Sequence, residues 1–126
     1  MSTDAGSPPR RRIQVVDDNG DAAASLAMML KLLGNEVDIA HDGIEAVELA
    51  ERFQPEVILM DVGMPRLNGY DATRRIREQP WGRDIKIYAL TGWDQDSDRQ
   101  LSQDAGCNGH LVKPVGLDAL RQALAQ

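Results

Sequence analysis

The chain has 126 residues, 42% of them hydrophobic and 27% charged, with a formal net charge of −6. That length suits one core, and the acidic balance excludes a protein that grips nucleic acid by neutralising backbone phosphates, which needs an excess of Lys and Arg. No apolar run approaches the ~18 residues of a membrane span, residues 1–12 hold no secretory-type stretch, and the single Cys107 cannot form an internal disulfide, so a cytoplasmic setting without membrane contact is expected.

Residues 1–10, rich in Ser, Thr, Gly and Pro, read as a disordered tail or linker, leaving one domain over 11–126. Arg10-Arg11-Arg12, following Pro8-Pro9, reads as a solvated lead into the first strand, Ile13-Gln14-Val15-Val16. Leu26, Met29, Leu30 and Leu33 then recur at helical spacing, and Gly34 is placed to stop that helix. Glu36–Ala40 is a weaker strand, and Ala46, Leu49, Ala50 and Phe53 mark a helix starting near Asp42-Gly43. Val57-Ile58-Leu59-Met60 is apolar at every position, the mark of a central strand covered on both faces. Asn68-Gly69 signals a turn into a helix carrying Ala72, Thr73 and Ile76. Trp81, between Pro80 and Gly82, reads as a loop anchor, and 85–90 is the fourth strand. Residues 94–105 suit a helix whose one sizeable apolar residue is Leu101. His110-Leu111-Val112 is a short fifth strand, and Leu117, Leu120 and Leu124 give the last helix. Strict alternation of strand and helix implies a parallel sheet between helical layers, with any ligand site outside the carboxyl ends of the strands.

At those ends the sequence concentrates charge. Val16 runs into Asp17-Asp18, Met60 into Asp61, Leu90 into Thr91 and Val112 into Lys113. A single Asp after a strand is more often a plain polar terminator, but four such ends at one edge define a chemistry. Crowded carboxylates repel one another unless a cation neutralises them. Hard oxygen donors with room for water suit Mg²⁺. A divalent ion and an ammonium around one carboxylate cradle the equatorial oxygens of a phosphoryl group in transfer, and an Asp can then serve as nucleophile.

Val15-Val16-Asp17-Asp18-Asn19, Leu59-Met60-Asp61-Val62-Gly63-Met64-Pro65 with Asn68-Gly69-Tyr70, Ala89-Leu90-Thr91 and Val112-Lys113-Pro114 resemble the response-regulator receiver family, over 12–124 and in the family's order and spacing. The resemblance implies a flavodoxin-like (βα)5 sandwich with a parallel five-stranded sheet in the order 2-1-3-4-5. It implies that Asp61 is the phosphoacceptor, and that Asp18 and Asp61 hold Mg²⁺ directly, Asp17 through water and Gly63 through its carbonyl, with Mn²⁺ as a substitute. Lys113 would pair with the carboxylate and then the phosphoryl group, Thr91 would bond the phosphoryl group and report it, and the Lys113–Pro114 peptide would be cis. The implied partner is a histidine kinase or a histidine phosphotransfer protein. The chain is not itself expected to be an enzyme beyond its own phosphorylation and dephosphorylation. It is expected to be a monomer or a phosphorylation-dependent dimer.

His110 stands where the family carries Tyr or Phe as the switch residue, as receivers of hybrid sensor kinases often do. The chain therefore reads as a segment of a hybrid histidine kinase, with a free-standing single-domain regulator as the other reading. Trp93, two residues beyond Thr91, is placed to flank and shield the phosphoryl group, or else to pack on the domain surface. The poorly apolar 94–105 segment is expected to move most on phosphorylation. Cys107 reads as a small apolar residue, and His41 and His110 do not form a metal pair. A haloacid-dehalogenase-type phosphatase would need a second Asp at Gly63 and its acid pair last, and a flavodoxin would need a phosphate loop where Asp17-Asp18 stand, so both are set aside.

Overall fold

A computed structural model describes residues 11–62, 67–92 and 96–125, with only the backbone over 96–99; the 1–10 tail lies outside the described residues. The strands are β1 (Arg12–Val16), β2 (Glu36–Ala40), β3 (Val57–Asp61), β4 (Lys86–Thr91) and β5 (Gly109–Val112). The helices are α1 (Gly20–Leu32), α2 (Gly43–Phe53), α3 (Gly69–Arg77), α4 (Asp96–Ala105) and α5 (Leu117–Leu124), with a 3₁₀ turn at Pro80–Gly82. All strand pairs are parallel, as the alternation implies, and the sheet order is β2-β1-β3-β4-β5, as the family resemblance implies. Among the described residues no helix is long and apolar enough to cross a membrane.

The alternation of side chains along the strands builds a core on each face of the sheet. Val16, Ile58, Met60 and Ile87 meet Ala46, Leu49 and Ala50 of α2 and Ala72 and Ile76 of α3. Ile13, Val15, Val57, Leu59 and Leu90 meet Leu26 and Leu30 of α1 and Leu120 of α5 on the other face. Trp81 packs partly buried against the first cluster, which makes it the expected loop anchor. Among the described side chains α4 contributes nothing to either cluster, and its Leu101 is 44% exposed.

The sequence expectation of a solvated arginine run needs correction. Arg12 opens β1, and its guanidinium donates to the carbonyls of Phe53 and Gln54 at the end of α2 at 2.8–3.0 Å. Arg11 donates to the Leu124 carbonyl at the end of α5. Both cap carbonyls that a helix leaves without an internal partner, a favourable place for a cation.

Gln14 is the polar exception inside the sheet. It is fully buried, its amide donates to the Ala46 carbonyl at 2.9 Å, and its Oε1 meets no protein donor. A buried acceptor left unmatched costs about 1–3 kcal/mol. Gln14→Met keeps the volume and removes that acceptor, while the Ala46 carbonyl keeps its helical partner. The variant is expected to be as stable as wild type or more so, by up to about 1 kcal/mol, in urea unfolding.

Candidate functional site

Register brings the site together. Val16 pairs with Met60, Asp61 with Leu90 and Thr91 with Val112, so the residues that follow or end β1, β3, β4 and β5 reach one edge of the sheet. The Asp17 amide donates to the Ala40 carbonyl at 3.1 Å, which extends the ladder by one residue, and Asp17 is 3% exposed. Asn19 then locks the loop. Its own amide donates to Asp17 Oδ1 at 3.0 Å, while its side-chain oxygen accepts from the amides of Asp21 and Ala22 and caps α1. Asp18, between them, faces solvent.

One carboxylate oxygen from each of Asp17, Asp18 and Asp61 lies within 4.8 Å of the others. Asp61 ends β3 and is 6% exposed. Lys113 leaves β5 with its amide donating to the Thr91 carbonyl at 2.7 Å, and the Lys113–Pro114 peptide is cis as expected. Its Nζ sits 3.3 Å from Asp17 Oδ2 and 3.2 Å from Asp61 Oδ1. Burial draws the Lys113 pKa down, but attraction and hydrogen bonds from Asp61 and Asp17 outweigh it and hold the pKa above its ordinary 10.5. A raised cation of this kind stabilises the fold below the unfolded value and loses that contribution only as pH climbs through the folded value, so Lys113 stays charged across the neutral range.

The structure thus gathers Asp17, Asp18, Asp61, Thr91 and Lys113 at one edge, with Thr91 buried. Gly63 and Trp93 lie outside the described residues. His110 pairs in register with Ala89 and, half-buried, lines a hollow of about 270 Å³ with Tyr88, Leu111, Ala119 and Gln122. A second, mostly apolar groove of about 350 Å³ opens from the cleft itself, between Ala22, Leu26 and Met29 of α1 and Pro114 and Val115.

Two contributors escaped the sequence reading. Asn19 stood in the family motif, but its roles as the cap of α1 and as the residue whose amide holds Asp17 Oδ1 were not read from the sequence. Gly69 was read as a turn, yet a Cβ there would lie 2.2 Å from the Asp61 carbonyl oxygen and 2.8 Å from Val62 Cα. Gly69 also donates its amide to the Val62 carbonyl at 3.3 Å and accepts the Thr73 hydroxyl at 2.7 Å. The start of α3 therefore presses on the backbone that presents Asp61. Gly69→Ala is expected to lose about 1–3 kcal/mol in denaturant unfolding, the usual penalty for forcing an atom into packed space. Displacing the carboxylate by a fraction of an ångström should also slow any chemistry there by at least about tenfold.

Comparison with known proteins agrees with this geometry. The family model of the response regulator receiver domain matches residues 13–125. The chain is 40% identical over 109 residues to response regulator MprA of Mycobacterium ulcerans, covering 86% of this chain and 46% of that protein. It therefore spans about half the length of the curated relatives it matches. The receiver domain of sensor histidine kinase PA1611 from Pseudomonas aeruginosa, solved with a magnesium ion in its active-site cleft, is similar at a TM-score of 0.85 and 40% identity over 92% of this chain and 95% of that one. A further similar structure is the co-crystal of the Saccharomyces cerevisiae histidine phosphotransfer protein Ypd1 with the receiver domain of its downstream response regulator Ssk1 (TM-score 0.83, 29% identity, 90% and 86% covered).

A doubly wound α/β sandwich whose parallel sheet closes on a lysine-bridged acidic cleft is a two-component signalling module. The chain belongs to the response regulator receiver domain family.

Proposed function

We propose that residues 11–126 form the receiver domain, preceded by a 1–10 linker, and that Asp61 accepts a phosphoryl group from a phosphohistidine. The observation that carries this reading is the position of Lys113 Nζ, 3.3 Å from Asp17 and 3.2 Å from Asp61 at the edge where three carboxylates converge. A hard-oxygen donor set this close is well matched to Mg²⁺, with Mn²⁺ able to replace it, and Asp17, Asp18, Asp61 and the Gly63 carbonyl would hold the ion. When bound, it supplies positive charge to the oxygens of the incoming phosphoryl group.

The side chains do the rest. An oxygen of Asp61 forms a bond to phosphorus as the bond from phosphorus to the donor imidazole nitrogen breaks. Lys113 carries its charge to the phosphoryl oxygens, and Thr91, buried at the end of β4, donates its hydroxyl to one of them. His110 is the switch residue that answers Thr91, and Trp93 shields the acyl phosphate, whose later hydrolysis the same site promotes. The magnesium ion in the active-site cleft of the similar PA1611 receiver supports the ion assignment.

The donor is a histidine kinase or a histidine phosphotransfer protein, in line with the Ypd1 complex of the similar Ssk1 receiver. Its docking surface is the apolar groove along α1, which opens from Asp17 and Lys113; Met28 and Leu32 of the same helix are exposed. The working context is cytoplasmic, within a hybrid sensor kinase or as a separate regulator, as a monomer or a phosphorylation-dependent dimer. Acetyl phosphate with Mg²⁺ should add one phosphoryl group by intact mass, and chelation with EDTA should prevent it. Equal uptake with and without the divalent ion would defeat the proposal.

A further inference from the structure

We infer that Gly43, buried at the start of α2 and outside the cleft, is a positioning residue for Asp61. Its missing side chain sets where the backbone of Leu67–Gly69 lies, and that backbone sets where the end of β3 lies. A Cβ at Gly43 would fall on the Leu67 carbonyl oxygen and lie 2.7 Å from the Leu67 carbonyl carbon and 2.8 Å from Leu67 Cβ. Two residues further on, a Cβ at Gly69 would fall on the Asp61 carbonyl oxygen and lie 2.8 Å from Val62 Cα. Main chain does not swing aside as the tip of a flexible side chain does. Leu67–Gly69 is therefore a spacer one backbone thick, wedged between α2 and the residue that would carry the phosphoryl group. Gly20, which starts α1, gives the contrast, since a Cβ there would meet nothing within 4 Å.

Both walls of the wedge are held. Ala46, Leu49 and Ala50 bury α2 in the core it shares with Ile58 and Met60 of β3. The first turn of α2 is closed by Asp42, whose carboxylate accepts the Glu45 amide at 2.8 Å, and by Glu45, whose carboxylate accepts the His41 amide at 3.2 Å. β3 is buried along its whole length between β1 and β4. The spacer is tied down as well. Leu67 packs partly buried against the same core, and Asn68 accepts the Asp71 amide at 2.9 Å to cap α3. Gly69 donates to the Val62 carbonyl at 3.3 Å and accepts the Thr73 hydroxyl at 2.7 Å. Close-packed interiors transmit strain, so a methyl added at position 43 moves the spacer and the spacer moves Asp61. The functional consequence rests on the reading of Asp61 as phosphoacceptor; the wedge itself does not.

Phosphoryl uptake by the full chain, followed against acetyl phosphate concentration with Mg²⁺ and well below the melting temperature, tests the role. In Gly43→Ala the maximal rate should fall by at least about tenfold while the half-saturating concentration holds, because the nucleophile is displaced and Lys113 is not. Gly20→Ala should match wild type in both. A merely structural glycine would lower the melting temperature and leave the rate of the folded protein at the wild-type value, and that result would overturn the inference. If Gly43→Ala does not fold, Leu67→Ala decides. It keeps the carbonyl that faces Gly43 but frees the spacer from the core, and its maximal rate should fall by at least about threefold; an unchanged rate would overturn the inference. Amide chemical shifts of the unmodified proteins keep the two readings apart. The Val62 and Gly69 amides should shift in Gly43→Ala and stay in place in Gly20→Ala, whichever residue is the acceptor. Unmoved amides in Gly43→Ala would overturn the wedge. Shifted amides together with a wild type that takes up no phosphoryl group would defeat the reading of Asp61 alone.

Discussion

Asp61→Asn protein treated with acetyl phosphate and Mg²⁺ is expected to gain no phosphoryl group while wild type gains one, a fall of at least about 10³-fold in rate. The substitution preserves shape and removes the nucleophile. A carboxylate oxygen carries the negative charge that attacks phosphorus, and an amide oxygen does not. The fold should survive, because Lys113 keeps Asp17 at 3.3 Å and one of three mutually repelling carboxylates is gone. Circular dichroism and a thermal melt separate loss of chemistry from loss of structure. Intact mass gives the result, and a variant that gains a phosphoryl group as fast as wild type would move the acceptor elsewhere, with Asp17 or Asp18 the nearest candidates.

Lys113→Ala gives the second large effect, and its value lies in a split between two readouts. Phosphoryl uptake is expected to slow by about 10²-fold, the usual consequence of deleting one charged donor from a preorganised site. Affinity for Mg²⁺ is expected to hold or rise, because the ammonium at 3.2–3.3 Å competes for the same two carboxylates that would bind the ion. Calorimetric titration with Mg²⁺ and the uptake rate would then move in opposite directions. A merely structural lysine would lower both together. Because the Lys113 pKa is raised, the wild-type rate should not fall through its deprotonation anywhere in the neutral or mildly alkaline range.

The cleft was legible because Asp61 and Thr91 end strands while Asp17 and Lys113 follow them, and parallel alternation sends all carboxyl ends to one edge; the sheet order came with the family resemblance. Nothing about that inference needs side-chain detail. What escaped it depends on contacts between residues far apart in the chain. Arg11 and Arg12 read as solvated because local sequence does not show that the ends of α5 and α2 lie beside them. Arg77 reads as one more charge on a basic helix end until Gly82, Gly106 and Asn108 surround it. Gly69 carries a turn signal that hides a steric one, since the atom it leaves room for is the Asp61 carbonyl oxygen. Gln14 breaks the apolar run of β1, yet its burial is set by α2 lying over it.

The light anchoring of α4 was legible in part. The sequence offered Leu101 as its one large apolar residue, and the structure leaves even that side chain substantially exposed. Among its described side chains, Ser102 and Ala105 are the buried ones, and an element with few buried contacts shifts at low energetic cost.

The assignment of the acceptor can be read directly by trapping. Borohydride reduces an aspartyl phosphate to homoserine, so acetyl phosphate and Mg²⁺ treatment followed by reduction and peptide sequencing marks the modified residue. The account requires homoserine at position 61 and nowhere else. Homoserine at 17 or 18, or an unmodified Asp61 in protein that has gained a phosphoryl group, would contradict it.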